Sequence, residues 1–172
     1  RKEEIFPMLI HILRSSGENI RGIYERNDVK IRELEGMAEN KGWFMPETVE
    51  DKNTVTEIVE NGIRYSVDVE NGQKTGFFLD QKYNRQAVAR IAKGKHVLDC
   101  FTHTGAFALN AAAGGAASVT AVDVSAEAVR MTGINAEKNG FKDVVKPLEA
   151  NVFDLLTKLA EEKSHAYDFI IL

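Results

Sequence analysis

One stretch constrains the chain more than any other: Val97-Leu98-Asp99-Cys100-Phe101-Thr102-His103-Thr104-Gly105-Ala106-Phe107. A short apolar run from His96 to Leu98 closes on an acid. A Thr/Gly turn follows, and small residues continue through Ala113 to Gly114-Gly115. This pattern predicts a strand, a loop and a helix, with a carboxylate at the strand's C-terminal end. In open α/β sheets, ligands bind outside those ends, where the strand order reverses. The glycine pattern argues against a dinucleotide site. G-x-G-x-x-G brings backbone up to a pyrophosphate at a helix N-terminus, whereas here only Gly105 lies in the turn and Asp99 would repel a diphosphate.

The same unit then recurs. Ser118 to Val122 reads as a strand ending on Asp123, with Ser125 capping the next helix and Glu127 complementing its dipole. Ala128, Met131, Ile134 and Asn135 form that helix's inward side, and Asn139-Gly140 ends it. Val144 to Leu148 is a third strand, followed by Asn151 and a helix from Val152 to Ala160. Tyr167 to Leu172 is a fourth strand, apolar enough to be buried in a parallel sheet. Strands alternating with helices give right-handed βαβ units. Three polar residues, Asp99, Asp123 and Asn151, then fall at three successive strand ends.

The first part of the chain reads differently. Glu3 to Leu13 is an amphipathic helix with Pro7 expected in its first turn. Ile20 to Tyr24 reads as a strand and Val29 to Asn40 as a helix. Gly42-Trp43-Phe44-Met45-Pro46 is a loop whose Trp43 is read as core packing. Ile63, Tyr65, Val67 and Val69 alternate with polar residues, and Asn61-Gly62 between two such runs is a hairpin signal. A second Asn-Gly, Asn71-Gly72, is taken as the domain boundary, dividing the chain into 1–72 and 73–172. Beyond it, Asp80 is placed as the N-cap of a helix running to Lys93, with Val88, Ile91, Ala87 and Ala92 toward the sheet. From Gln81 to Leu98 there is no acid, but there are Lys82, Arg85, Arg90, Lys93 and Lys95. The favoured reading is a solvated helix face, and an RNA-backbone contact is the alternative.

Composition narrows the class. The 172 residues are 44% hydrophobic and 28% charged, with a net charge of -4. A free-standing nucleic-acid binder is usually basic, so any RNA contact must come from a local patch. A single cysteine allows no intrachain disulfide and fits a reducing, cytoplasmic compartment. No run approaches a membrane span, and the four histidines lack metal-ligand spacing.

The strand-end residues point to an adenosyl ligand carrying positive charge. Asp99 suits a sulfonium or amino group, as in S-adenosylmethionine. Asp123, about 20 residues on, suits a ribose, and Asn151 suits the adenine edge with Phe153 near the ring. Phe101, Thr102, Thr104, Gly105, Val124 and Ser125 complete the candidate contacts on these loops.

Gly72-Gln73-Lys74-Thr75-Gly76-Phe77-Phe78-Leu79-Asp80-Gln81, with Asn84-Arg85 and then the Val97–Phe107 stretch, resembles the bacterial large-subunit ribosomal RNA cytosine-C5 methyltransferases. Tyr24 to Asp28 and Arg32 to Gly36 resemble the same family's central domain. Those proteins join a PUA domain, a central α/β domain and a class I methyltransferase domain. The resemblance implies that Lys74, Phe77, Gln81 and Arg85 line the cofactor pocket and that Asn151 and Phe153 hold adenine. It implies S-adenosylmethionine as cofactor, large-subunit ribosomal RNA as partner, no membrane, and homodimerisation as an open alternative.

The expected fold is therefore α/β. The first strands of a parallel, Rossmann-like class I methyltransferase sheet are preceded by part of a smaller α/β domain with a β-hairpin. The family adds a cysteine thiolate to C6 of the base, making C5 nucleophilic. Cys100, the only thiol, reads as a core residue, so no catalytic residue is assigned. Without the family's PUA domain, its Asp-Pro-Pro-x-Phe loop or its later cysteine, the chain reads as a piece of a longer protein, expected to turn over no substrate by itself. The alternatives are a class I methyltransferase acting on an exocyclic base amine, and a non-catalytic RNA-binding piece.

Overall fold

The computed structural model describes residues 1–172. Packing divides the chain into two compact units, one of residues 1–56 and 68–76, the other of residues 57–67 and 77–172. The expected division at Gly72 does not coincide with this one, because residues 57–67 of the hairpin pack with the later part of the chain.

In the first unit, α1 (Lys2–Ser15) carries Pro7 in its second turn rather than its first. Proline has no N–H to give the carbonyl of Glu3. None of the helix's residues is buried, so water can satisfy that carbonyl. The first strand is β1 (Tyr24–Asn27), not Ile20 to Tyr24. The helix expected from Val29 to Asn40 is one turn, α2 (Ile31–Leu34). Gly36, at φ 69°, ends it, and the Met37 N–H closes on the Arg32 carbonyl at 2.9 Å. The released backbone becomes β2 (Asn40–Trp43), antiparallel to β1, with Tyr24 opposite Trp43 and Asn27 opposite Asn40. The Tyr24 and Trp43 rings meet edge to face at 5.2 Å, which supports the packing role expected of Trp43.

The second unit is built on a four-stranded parallel sheet in the order β7-β6-β5-β8, formed by β5 (His96–Cys100), β6 (Ser118–Asp123), β7 (Val145–Glu149) and β8 (Phe169–Ile171). Val97 pairs with Val119 on one side and Phe169 on the other, and Val119 pairs with Val145. Sequence order thus reverses at β5, the strand whose penultimate residue is Asp99. The period of two sorts residues to the two faces. Val97, Val119, Ala121 and Val145 pack with Val88, Ala92, Ala108, Ala111 and Ala136. These come from α3 (Lys82–Ile91), α4 (Ala106–Ala113) and α5 (Ala126–Lys138). Leu98, Cys100 and Val122 face the other way, onto α6 (Val152–Glu161).

Three local expectations change. Asp80 caps nothing: a 3₁₀ turn, Leu79–Gln81, precedes α3, whose buried residues are Arg85 and Val88, while Ile91 is 57% exposed. On α5 the buried residues are Met131, Thr132, Asn135 and Ala136, and Ile134 points outward. β8 pairs with β5 alone, so Ile170 stays half exposed. The hairpin forms as expected from β3 (Val55–Glu60) and β4 (Ile63–Asp68). Asn61 and Gly62 both lie at positive φ, 54° and 79°, as a type I′ turn requires. It makes a sheet of its own. Asn135 accepts from the Ser66 N–H, and Asn139 exchanges two bonds with the backbone of Arg64, so amide side chains of α5 and the residue capping it satisfy the edge of β4.

Candidate functional site at the strand ends

The loop between β5 and α4 is the most strained backbone in the second unit. Phe101, His103 and Gly105 take φ of 59°, 54° and 81°. Left-handed φ in non-glycine residues costs of order 1–3 kcal/mol and persists only where surroundings over-determine it. Here five hydrogen bonds do so. The Thr102 N–H reaches the Val122 carbonyl at 2.9 Å, and the Gly105 N–H reaches the Thr102 carbonyl at 2.9 Å. The His103 N–H reaches Asp123 Oδ2 at 2.9 Å. From α5, Thr132 Oγ1 and Asn135 Nδ2 donate to the carbonyls of His103 and Thr104 at 3.1 and 3.0 Å. Gly105 has no room for a side chain: a Cβ there would lie 2.8 Å from both Leu109 and Thr132.

Asp99 sits under this loop rather than facing outward. It is 1% exposed, and its Oδ2 accepts from Thr102 Oγ1 at 2.6 Å and from the Ala108 N–H at 3.0 Å. Burial pushes its carboxyl up to about 7; the two donors pull against that, and Asp123 adds to it. Asp123 is half buried and uses both oxygens, Oδ2 on His103 and Oδ1 on the Ser125 N–H at 3.0 Å. Ser125 caps α5 by accepting from Ala128, as expected. Asn151 likewise caps α6, its Oδ1 accepting from the Phe153 N–H at 2.9 Å.

Above the acids lies an apolar rim. Phe101 is 52% exposed, Val124 72% and Phe153 70%, one after each of three strand ends, and the two rings stand 5.8 Å apart. Exposed aromatics grouped at strand ends form a surface for a flat apolar ligand. Among buried side-chain polar atoms, Thr104 Oγ1 has no partner.

The structure thus brings Asp99, Phe101, Thr102, Thr104, Gly105, Asp123, Val124, Ser125, Asn151 and Phe153 to one end of the sheet. Arg85 is instead 2% exposed, with Nε and Nη2 on the two oxygens of Glu60 at 2.6 and 3.0 Å and Nη2 also on the Phe78 carbonyl at 2.7 Å. Its guanidinium lies 4.6 Å from the ring centre of Phe77, which is itself buried. These two brace the segment leading into α3. Gln81 accepts from Asn84 at 2.8 Å. Lys74 lies in the first unit, in the left-handed region at φ 52°.

Sequence reasoning missed Phe78 and His103, whose rings meet at 5.5 Å. Burial holds the His103 imidazole below its usual range, with Asp123 pulling the other way. It also missed Asn110, whose Nδ2 bridges Tyr65 Oη and the Ala106 carbonyl at 2.9 and 2.8 Å. A lone amide in the run Ala-Phe-Ala-Leu-Asn-Ala-Ala-Ala was the available signal. Cys100 is buried, and its thiol is pushed up by burial and by the charge of Asp99, which disfavours the thiolate.

Comparison with known proteins gives the family. The family described as S-adenosylmethionine-dependent methyltransferase matches residues 38–172. Ribosomal RNA large subunit methyltransferase I of Aeromonas salmonicida is 43% identical over 152 residues, 87% of this chain and 37% of that protein. The protein of the same name from Shewanella denitrificans is 45% identical over 157 residues, with the same coverages. The chain therefore spans 37% of the length of these relatives. Among solved structures, the methyltransferase SMU.776 complexed with SAH (S-adenosylhomocysteine) superposes with a TM-score of 0.76 at 27% identity, over 99% of this chain and 42% of that one.

Proposed function

The chain belongs to the S-adenosylmethionine-dependent methyltransferase family, and from that premise we propose that its second unit holds the cofactor at the ends of β5, β6 and β7. The protein it represents would methylate large-subunit ribosomal RNA, at C5 of a cytosine. The single observation that carries the cofactor site is the braced left-handed loop 101–105, with Asp99 beneath it, half-buried Asp123 bonded to it, and exposed Phe101, Val124 and Phe153 around it. Adenine fits against that rim. Asp123, half buried at the end of β6, is set to accept from a ribose. The cofactor supplies an electrophilic methyl group, and this chain's residues supply its position. Asn151, Ser125 and Gln81 act on the loop and helix starts. Arg85 and Phe77 are positioning residues, and Lys74 is a contact proposed from the resemblance alone.

The rRNA substrate is supported by the two relatives named above and by the resemblance of the Gly72–Gln81 string. The 1–72 region would correspond to the central domain of that family. Two measurements test the reading. Calorimetric titration with SAH should show stoichiometric binding to this chain, and its absence would remove the site. For the substrate, the whole protein is incubated with labelled S-adenosylmethionine and unmodified large-subunit rRNA, and the RNA is then digested to nucleosides. Label in 5-methylcytidine is expected. Label in an N-methylated base would replace the C5 assignment by transfer to an exocyclic amine.

A further inference from the structure

The second unit carries an acid-poor surface, flanked by exposed Asp80 and Asp168, that the cofactor site does not use. Between Asp80 and Asp123 the only acid is Asp99, which is buried under the loop. The neighbouring Glu60 is buried too, neutralised by Arg85. In a chain of net charge -4, this surface nonetheless carries four exposed cations: Lys82, Arg90, Lys93 and Lys95. Elsewhere in the unit, Arg130, Lys138, Lys142 and Lys158 each meet a carboxylate, while Lys146 and Lys163 meet none. None of the four makes an ion pair or a side-chain hydrogen bond.

Their placement is ordered. Lys82, Gln86 and Arg90 stand at i, i+4 and i+8 of α3, on one stripe about 12 Å long at 1.5 Å per residue. Arg85, Val88 and Ala92 occupy the buried side. Lys93 and Lys95 extend the stripe past the helix end, on backbone tied down by Gly94 N–H to the Gly115 carbonyl and Ala117 N–H to the Lys95 carbonyl, both at 2.8 Å. Behind the stripe α3 and α4 pack backbone to backbone: a Cβ on Gly114 would lie 2.0 Å from the Ala89 carbonyl oxygen. The cations therefore project from a rigid platform.

Beside them runs a polar groove of about 540 Å³ lined by Asn61, Gln86, Ala89, Arg90, Asn110 and Ala113. Its amides are fixed in a chain, Gln86 donating to Asn61 at 2.8 Å and Asn61 to Asn110 at 3.2 Å. The stripe begins four residues after Phe78, whose ring touches His103 of the site loop.

We propose that this stripe and groove bind the sugar–phosphate backbone of the substrate RNA strand and lead it toward the strand-end site. The proposal rests on the RNA reading above and names the surface that would serve it. Exposed, unpaired cations on a fixed scaffold give a sequence-independent phosphate contact, and neutral amides donate to phosphate and sugar oxygens. The groove lining itself is polar, while Tyr83 and Ile91 are exposed elsewhere on α3, and the test with polyglutamate separates RNA from an acidic protein partner.

The test uses the whole protein carrying Lys82→Glu, Arg90→Glu and Lys93→Glu together, with a neutral triple variant, each of the three residues to Gln, as a second check. None of these side chains is buried or bonded, so the fold should be retained. Binding of fluorescent single-stranded oligouridylate is measured across a salt titration. The expected result is a salt slope smaller by about 2, from three lost contacts at about 0.7 each. The Gln variant should show the same slope change with a smaller loss of affinity. SAH affinity, read on the same samples, should not change, so an unaltered RNA slope with intact SAH binding overturns the stripe while leaving the cofactor site standing. An equal loss of binding to polyglutamate would assign the surface to acidic protein and overturn the RNA proposal as well.

Discussion

Asp99 and Asp123 close neighbouring parallel strands, yet the structure uses them in opposite ways. Asp99 is 1% exposed and offers one oxygen to two donors of its own loop and helix. Asp123 is half buried and spends one oxygen on the first loop and the other on its own turn. The first acid is a clamp that keeps the strained loop shut from beneath. The second joins two loops at the rim, where a ligand can reach it. The same residue type near the ends of neighbouring strands, two register positions apart because Asp99 pairs with Ala121, thus divides into a folding role and a binding role. Depth in the sheet decides which.

The largest effect should follow from removing the clamp. Asp99→Ala leaves the Thr102 hydroxyl and the Ala108 N–H buried without an acceptor. At about 1–3 kcal/mol per orphaned group, the expected loss is about 2–6 kcal/mol in urea denaturation. Asp99→Asn keeps an acceptor and should lose much less. The same pair exposes the pH dependence. Because the folded carboxyl is raised to about 7, the folded protein holds a proton that the unfolded chain releases in the ordinary carboxylate range. This group's contribution is complete at low pH, declines as pH rises from the ordinary range to about 7, and is level above that. Stability of the native protein should therefore fall relative to Asp99→Asn across that window. Parallel curves would mean that Asp99 is ionised throughout.

Asp123→Ala should invert the pattern. Losing a charged acceptor for a ribose is expected to weaken SAH binding by about 1.5–3 kcal/mol. The fold should lose less than in Asp99→Ala, because the groups left behind, the N–H of His103 and of Ser125, lie nearer water. If Asp123→Ala costs more stability than Asp99→Ala and leaves SAH affinity intact, the assignment of roles is reversed.

How far the sequence reached follows the same division. The strand–helix alternation of the second unit and the hairpin at Asn61-Gly62 were legible because each rests on local periodicity or turn chemistry. That Asp99 turns inward was implicit in parity: it shares the face of Val97, toward α4, but a strand-end acid reads equally as ligand contact until α4 is placed. The pairing of Arg85 was out of the sequence's reach for a longer-range reason. Its partner Glu60 ends a strand of another sheet 25 positions away, and nothing near Arg85 announces it. The one-turn α2 was hidden because Val29 to Asn40 has helical spacing, while pairing with β1 takes its last residue and Gly36 breaks it.

The smallest expected effect isolates the rim from both acids. Phe153 is 70% exposed and packs chiefly on Phe101. Surface substitutions away from buried contacts usually change folding by no more than about 0.5 kcal/mol, so Phe153→Ala should leave the urea midpoint nearly unmoved. An aromatic pair is worth about 0.5–1.5 kcal/mol beyond its area, and SAH affinity should weaken by about that much if adenine stacks against the outer face of these rings. Phe101→Gly sharpens the point. Glycine relieves the left-handed strain at that position while removing the same ring, so stability should hold or rise as affinity falls. A loss of stability without a loss of affinity in either variant would make the rings part of the loop's packing, and the two acids would then carry the site without them.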